Sequence, residues 1–152
     1  MIRNIFRKDN PSSKDNPSSK DNEMESSEGG GSATILIVDD SPTEVHVFKK
    51  ILEKQGYQTE IARDGQEGIE VAKRAHPNLI LMDVVMPVLN GFQATRRLRN
   101  DPETADIPVI MVTTKDQQTD INWGKRQGAN EYLVKPVAPA DLLVKIRALL
   151  DG

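Results

Sequence analysis

The chain has 152 residues, no cysteine and a formal net charge of -3. That length permits one domain with a real core, and the near-balanced charge argues against a nucleic-acid module held by electrostatics. The missing cysteine excludes disulfides, thiolate metal sites and cysteine nucleophiles.

Residues 8–13 read KDNPSS, residues 14–19 repeat it, and residues 20–22 begin a third copy before Gly-Gly-Gly-Ser at 29–32. Pro, Ser, Asn and charge without apolar periodicity bury too little surface to offset ordering entropy. Residues 1–33 are therefore expected to form a disordered, low-complexity tail, with the folded domain over 34–152. The N-terminus lacks an apolar core of signal-peptide length, and no run is long enough for a membrane span. A soluble cytoplasmic protein is the expectation.

From Thr34 the pattern changes. Ile35, Leu36, Ile37 and Val38 form a first buried strand that delivers Asp39 and Asp40 at its C-terminal end. Ser41, Pro42, Thr43 and Glu44 resemble a capping box with Pro at the first helical position. Val45, Phe48, Ile51 and Leu52 follow at helical spacing, and Gly56 stops that helix. A short second strand is predicted over 58–62, and a second helix opens at 64–67. Residues 79–87 read LILMDVVMP: an apolar run too short for a membrane and too uniform for an exposed strand. Such a run suits a parallel strand covered on both faces, here 79–83, and it ends in Asp83. A carboxylate there is costly unless its charge is compensated.

A loop through Pro87 and Gly91 leads to a third helix over 92–98. Strand four, 109–112, ends in Thr113 and Thr114, and a fourth helix covers 117–127 and stops at Gly128. Strand five, 131–134, runs into Lys135 and Pro136, and Pro139 opens the last helix. Strands alternating with helices predict an α/β fold: a doubly wound, five-stranded parallel sheet with five helices. With the flavodoxin-like strand order 2-1-3-4-5, ligands bind beyond the C-terminal strand ends, where the order reverses.

Those ends carry Asp39, Asp40, Asp83, Thr113 and Lys135. Two like charges about 4 Å apart repel by roughly 4 kcal/mol at an effective dielectric of about 20. Carboxylates sharing a pocket must therefore protonate or bind a cation, and oxygen ligands without histidine favour Mg²⁺ or Mn²⁺ over zinc. A divalent cation, a lysine, a hydroxyl and a reachable carboxylate suit phosphoryl chemistry with the carboxylate as nucleophile.

The motifs ILIVDDSP, LILMDVVMPVLNG, PVIMVTT and YLVKP resemble, in order and spacing, the receiver domains of two-component response regulators. The resemblance implies Asp83 as phosphoacceptor, with Asp39 and Asp40 placing the metal and Asp40 favoured as its direct ligand. It also implies a metal contact from the Val85 backbone carbonyl. Thr113 would sense the phosphoryl oxygens, Lys135 would pair with them, and Tyr132 would be the switch aromatic. The Lys135–Pro136 bond is similar to one that is usually cis in the family. Within the family, residues 82–96 and 113–136 are similar to stand-alone regulators of type IV pilus twitching motility, a chemotaxis-like system. The tail repeats are not part of that pattern.

The resemblance implies a single-domain phosphoacceptor rather than an enzyme acting on other substrates. The phosphodonor would be a histidine kinase, and a protein target would be met through the helix 4–strand 5–helix 5 face. No output domain is expected after the last helix, so nucleic acid is not an expected partner; no membrane span is expected either, and a monomer or weak dimer is. A phosphate sink for a shared kinase is the variant within this class. A metal-dependent aspartyl phosphatase is the other class; such enzymes typically set an acid two residues after the nucleophile, where this chain has Val85. A flavodoxin-like carrier is disfavoured because Asp39 and Asp40 occupy the turn that would bind flavin phosphate. Val85 is also apolar where a polar residue could orient an attacking water, so slow to moderate phosphoryl loss is expected.

Overall fold

A computed structural model describes residues 33–151 of the protein. The elements are β1 (Thr34–Val38), α1 (Pro42–Lys54), β2 (Gln58–Ala62), α2 (Gly65–Ala75), β3 (Leu79–Met82) and α3 (Gly91–Asn100). They continue with β4 (Val109–Thr113), α4 (Gln118–Gln127), β5 (Glu131–Val134) and α5 (Pro139–Asp151). All strand pairings are parallel, in the order β2-β1-β3-β4-β5. The predicted fold class and strand order therefore hold. The tail expected over residues 1–33 lies, except for Ala33, outside the described residues.

Alternation along the strands divides the core between two faces. Leu36 and Val38 of β1, with Ile80 and Met82 of β3, pack against Val71 and Ala72 of α2 and Leu98 of α3. Ile35, Ile37, Leu79 and Leu81 face the other way, onto Phe48 and Leu52 of α1 and Leu142 and Ile146 of α5. Every residue of β3 is buried, as the apolar run around it predicts. The edge strands are wetter: β2 buries only Ala62, and β5 buries none of its residues.

Side chains fix where the helices start. Ser41 Oγ accepts from the Glu44 amide at 3.3 Å, and Asp64 Oδ1 accepts from the Glu67 amide at 2.8 Å. Asn90 and Gln93 form a reciprocal capping box at α3, at 2.8 and 3.1 Å.

The strand ends are staggered so that each site residue remains tied to its neighbour. The Asp39 amide donates to Ala62 O at 3.0 Å, the Asp83 amide to Val38 O at 2.9 Å and the Lys135 amide to Thr113 O at 2.8 Å. Three side chains that stand just past their strands are thus held by sheet-like backbone bonds. Relative to the predicted bounds, β3 stops one residue earlier, at Met82, and β4 runs on through Thr113.

Candidate functional site

Asp39, Asp83 and Thr113 are only 2%, 9% and 0% exposed, while Asp40 is exposed at the rim. One carboxylate oxygen from each of Asp39, Asp40 and Asp83 lies within 4.8 Å of the others. The predicted acidic residues therefore do converge where β1 and β3 end side by side. Asp39 Oδ1 accepts from the Ser41 amide at 2.9 Å, and Asp83 Oδ1 accepts from the Val84 amide at 2.7 Å. The loop after β3 folds back on itself, with the Gly91 amide donating to Val84 O at 2.9 Å. Gly91 packs so closely on the Asp83 carbonyl that any β-carbon there would collide with it. Glycine at that position holds α3 directly beneath the acidic residue.

Lys135 reaches this cluster from the end of β5, beside a cis Lys135–Pro136 bond. Its Nζ lies 3.1 Å from Asp39 Oδ2, 3.6 Å from Glu44 Oε1 and 3.8 Å from Asp83 Oδ2. Burial is the largest influence on Asp83 and raises its pKa; the Asp39 charge adds to this. Lys135, the Val84 amide and the Thr113 hydroxyl oppose the rise without cancelling it. Burial alone would lower the pKa of Lys135, but Asp83, Asp39 and Glu44 together hold it above its ordinary value. Four carboxylates face one ammonium, so the site is short of positive charge.

A hard divalent cation fits that deficit. The cluster offers three carboxylates with no histidine or cysteine among them, a donor set suited to Mg²⁺. Val85 sits in the loop two residues beyond Asp83, with its side chain exposed.

Thr113 and Tyr132 meet through one intervening residue. The Lys115 amide donates to Thr113 Oγ1 at 3.3 Å, and the Tyr132 hydroxyl donates to Lys115 O at 2.8 Å. Partial burial, followed by the charges of Asp120, Asp116 and Asp83, pushes the Tyr132 hydroxyl up to about 12. Tyr132 also lies against α4 at Gly124, where a β-carbon would stand 2.9 Å from the ring. Trp123 on α4 is exposed.

Sequence reasoning missed Glu44 at this site. It was read only as part of the α1 cap; its signal was an acid in a first turn that faces the functional sheet edge.

Residues 35–147 match the response regulator receiver domain family, and the chain belongs to that family. It is 58% identical over 120 residues to the protein PilH of Pseudomonas aeruginosa, covering 79% of this chain and 99% of PilH. It is 37% identical over 118 residues to the response regulator PleD of Caulobacter vibrioides, which spans 78% of this chain but only 26% of PleD. Among solved structures it resembles the receiver domain of a Pseudomonas aeruginosa sensor histidine kinase, whose structure has a magnesium ion coordinated in the active-site cleft. That likeness has a TM-score of 0.75 and 31% identity over 80% of this chain and 99% of the other. The Vibrio cholerae chemotaxis protein CheY4 matches with a TM-score of 0.73 and 35% identity over 78% and 98% of the two chains.

Proposed function

We propose that this receiver domain accepts a phosphoryl group from a histidine kinase on Asp83, in a reaction that requires Mg²⁺ (or Mn²⁺). The observation that carries the reading is the convergence of Asp83, Lys135 and Thr113 on a cluster of oxygen ligands. Asp39, Asp40, Asp83 and the Val85 carbonyl would hold the cation. When bound, the cation supplies charge neutralisation for the phosphoryl oxygens.

The protein's own residues do the rest. An Asp83 carboxylate oxygen bonds to phosphorus as the phosphorus–nitrogen bond of the donor's phosphohistidine breaks, and the imidazole leaves with the electron pair. Lys135 pairs with the new phosphoryl oxygens. The Thr113 hydroxyl turns toward them and gives up its bond to the Lys115 amide. Lys115, whose carbonyl accepts from the Tyr132 hydroxyl, then carries the change to the α4–β5–α5 face. A protein target meets that face, where Trp123 is exposed.

The likeness to PilH supports a role in type IV pilus or twitching-motility signalling; a cytoplasmic location and a tail over residues 1–33, outside the matched receiver domain, complete the proposal. Val85, apolar at the site's edge, favours a phosphoacceptor over a phosphatase. The test is incubation with Mg²⁺ and acetyl phosphate, followed by intact mass spectrometry. One added phosphoryl group, absent with chelator and absent in Asp83→Asn, is the expected result. Turnover of a small phosphoester without retained phosphate would favour the phosphatase reading.

A further inference from the structure

Glu44 extends the phosphoacceptor reading and depends on it. Of the three carboxylates that contact Lys135, Asp39 and Asp83 belong to the cation-type cluster and Glu44 does not. The Asp39 and Asp83 side chains are 3% and 11% exposed, against 40% for Glu44. Glu44 is therefore the member at the mouth of the pocket. The fold holds it there: Pro42 opens α1, Ser41 Oγ bonds the Glu44 amide, and a first helical turn favours negative charge.

We propose that Glu44 is a positioning and specificity-determining residue that holds the Lys135 ammonium at the mouth and makes Asp83 a poor acceptor from small anionic phosphodonors. A divalent cation together with the Lys135 ammonium balances the three aspartates, and the charge of Glu44 is then the one left over. A dianion such as acetyl phosphate must pass this charge and take Lys135 from it. In the transfer, an Asp83 oxygen bonds to phosphorus, the bond from phosphorus to the bridging oxygen breaks, and acetate leaves with the electron pair. Total charge is unchanged and no proton is needed, so Glu44 acts on approach and on Lys135 rather than on the chemical step.

The full chain with saturating Mg²⁺ and a series of acetyl phosphate concentrations provides the test, with rates read by intact mass. Glu44→Gln is expected to raise kcat/KM about fivefold, the upper end for an exposed ion pair, through KM rather than kcat. The gain should shrink as salt is raised, while Glu44→Asp, which keeps the charge, stays near the wild-type rate. A Glu44→Gln rate equal to wild type at low salt, a salt-independent gain, or equal gains from Asp and Gln would overturn the proposal. Calorimetric binding of inorganic phosphate with Mg²⁺ supplies a second readout that needs no transfer. Glu44→Gln should bind phosphate tighter by a similar factor, and unchanged affinity would overturn the proposal. A wild-type chain that binds phosphate but never takes up a phosphoryl group would instead defeat the phosphoacceptor reading.

Discussion

Lys135 Nζ is nearer to Asp39 Oδ2, at 3.1 Å, than to Asp83 Oδ2, at 3.8 Å. The lysine expected to serve Asp83 therefore also occupies a carboxylate of the cation cluster, so lysine and cation compete for Asp39. Lys135→Met should strengthen Mg²⁺ binding by about tenfold, since like charges about 4 Å apart repel by ~1 kcal/mol in water and ~4 at an effective dielectric of about 20. Titration calorimetry measures this directly; unchanged or weaker binding would show that the lysine does not oppose the cation.

Asp83 has its pKa raised by burial and by Asp39. A carboxyl raised in the folded state favours folding while protonated, below its ordinary value of 3.8, and that contribution is lost as pH rises through the folded value. Without divalent cation, Asp83→Asn should therefore be more stable than wild type near neutral pH by about 1–3 kcal/mol. The gap should close toward pH 3.8 and shrink at pH 7 when Mg²⁺ is added. Urea melts across this range check the sign. A gap that widens toward acid would contradict the assignment of burial as the main cause.

Much of this was legible in the apolar runs. The run before Asp83 identified β3 as a fully covered strand, and the polar residues at or just past the ends of β1, β3, β4 and β5 marked the functional sheet edge. What was not legible depended on side-chain reach or backbone shape. Glu44 satisfied a helix-cap pattern, and nothing in that pattern said its carboxylate would reach Lys135. Arg99 lies one residue past the predicted third helix, and nothing in the sequence around it said that its guanidinium would gather three carbonyls.

Val88 illustrates the backbone case. It has φ 70°, its side chain is 81% exposed, and the Leu89 amide donates to Pro87 O at 2.7 Å across it. This is a γ-turn centred on a β-branched residue at positive φ, a rare and strained backbone conformation that costs about 1–3 kcal/mol. Val88→Gly loses little packing and relieves the positive φ, and the strain released should outweigh glycine's backbone-entropy cost by up to about 1 kcal/mol. Loss of stability in a denaturant melt would mean that Val88 is held by contacts its exposure does not suggest.

Arg99 closes the far end of α3. Its guanidinium donates to Gly128 O at 3.0 Å, Ile107 O at 2.7 Å, Ala105 O at 3.2 Å and Asn130 Oδ1 at 2.8 Å. Burial lowers its pKa, partly offset by Asp106. A lysine cannot reproduce this planar set of donors, so Arg99→Lys should cost about 2–3 kcal/mol, although the charge is kept. A thermal or urea melt near wild type would show that the loops before β4 and β5 hold without it.

The central claim is that Asp83 carries the phosphoryl group. After exposure to Mg²⁺ and acetyl phosphate, borohydride reduction converts an aspartyl phosphate to homoserine, which peptide mass spectrometry locates by residue. Homoserine at position 83, absent with chelator and with no replacement site in Asp83→Asn, is the predicted result. Homoserine at Asp39 or Asp40 in the wild-type chain, or none anywhere despite bound Mg²⁺ and donor, would contradict the account.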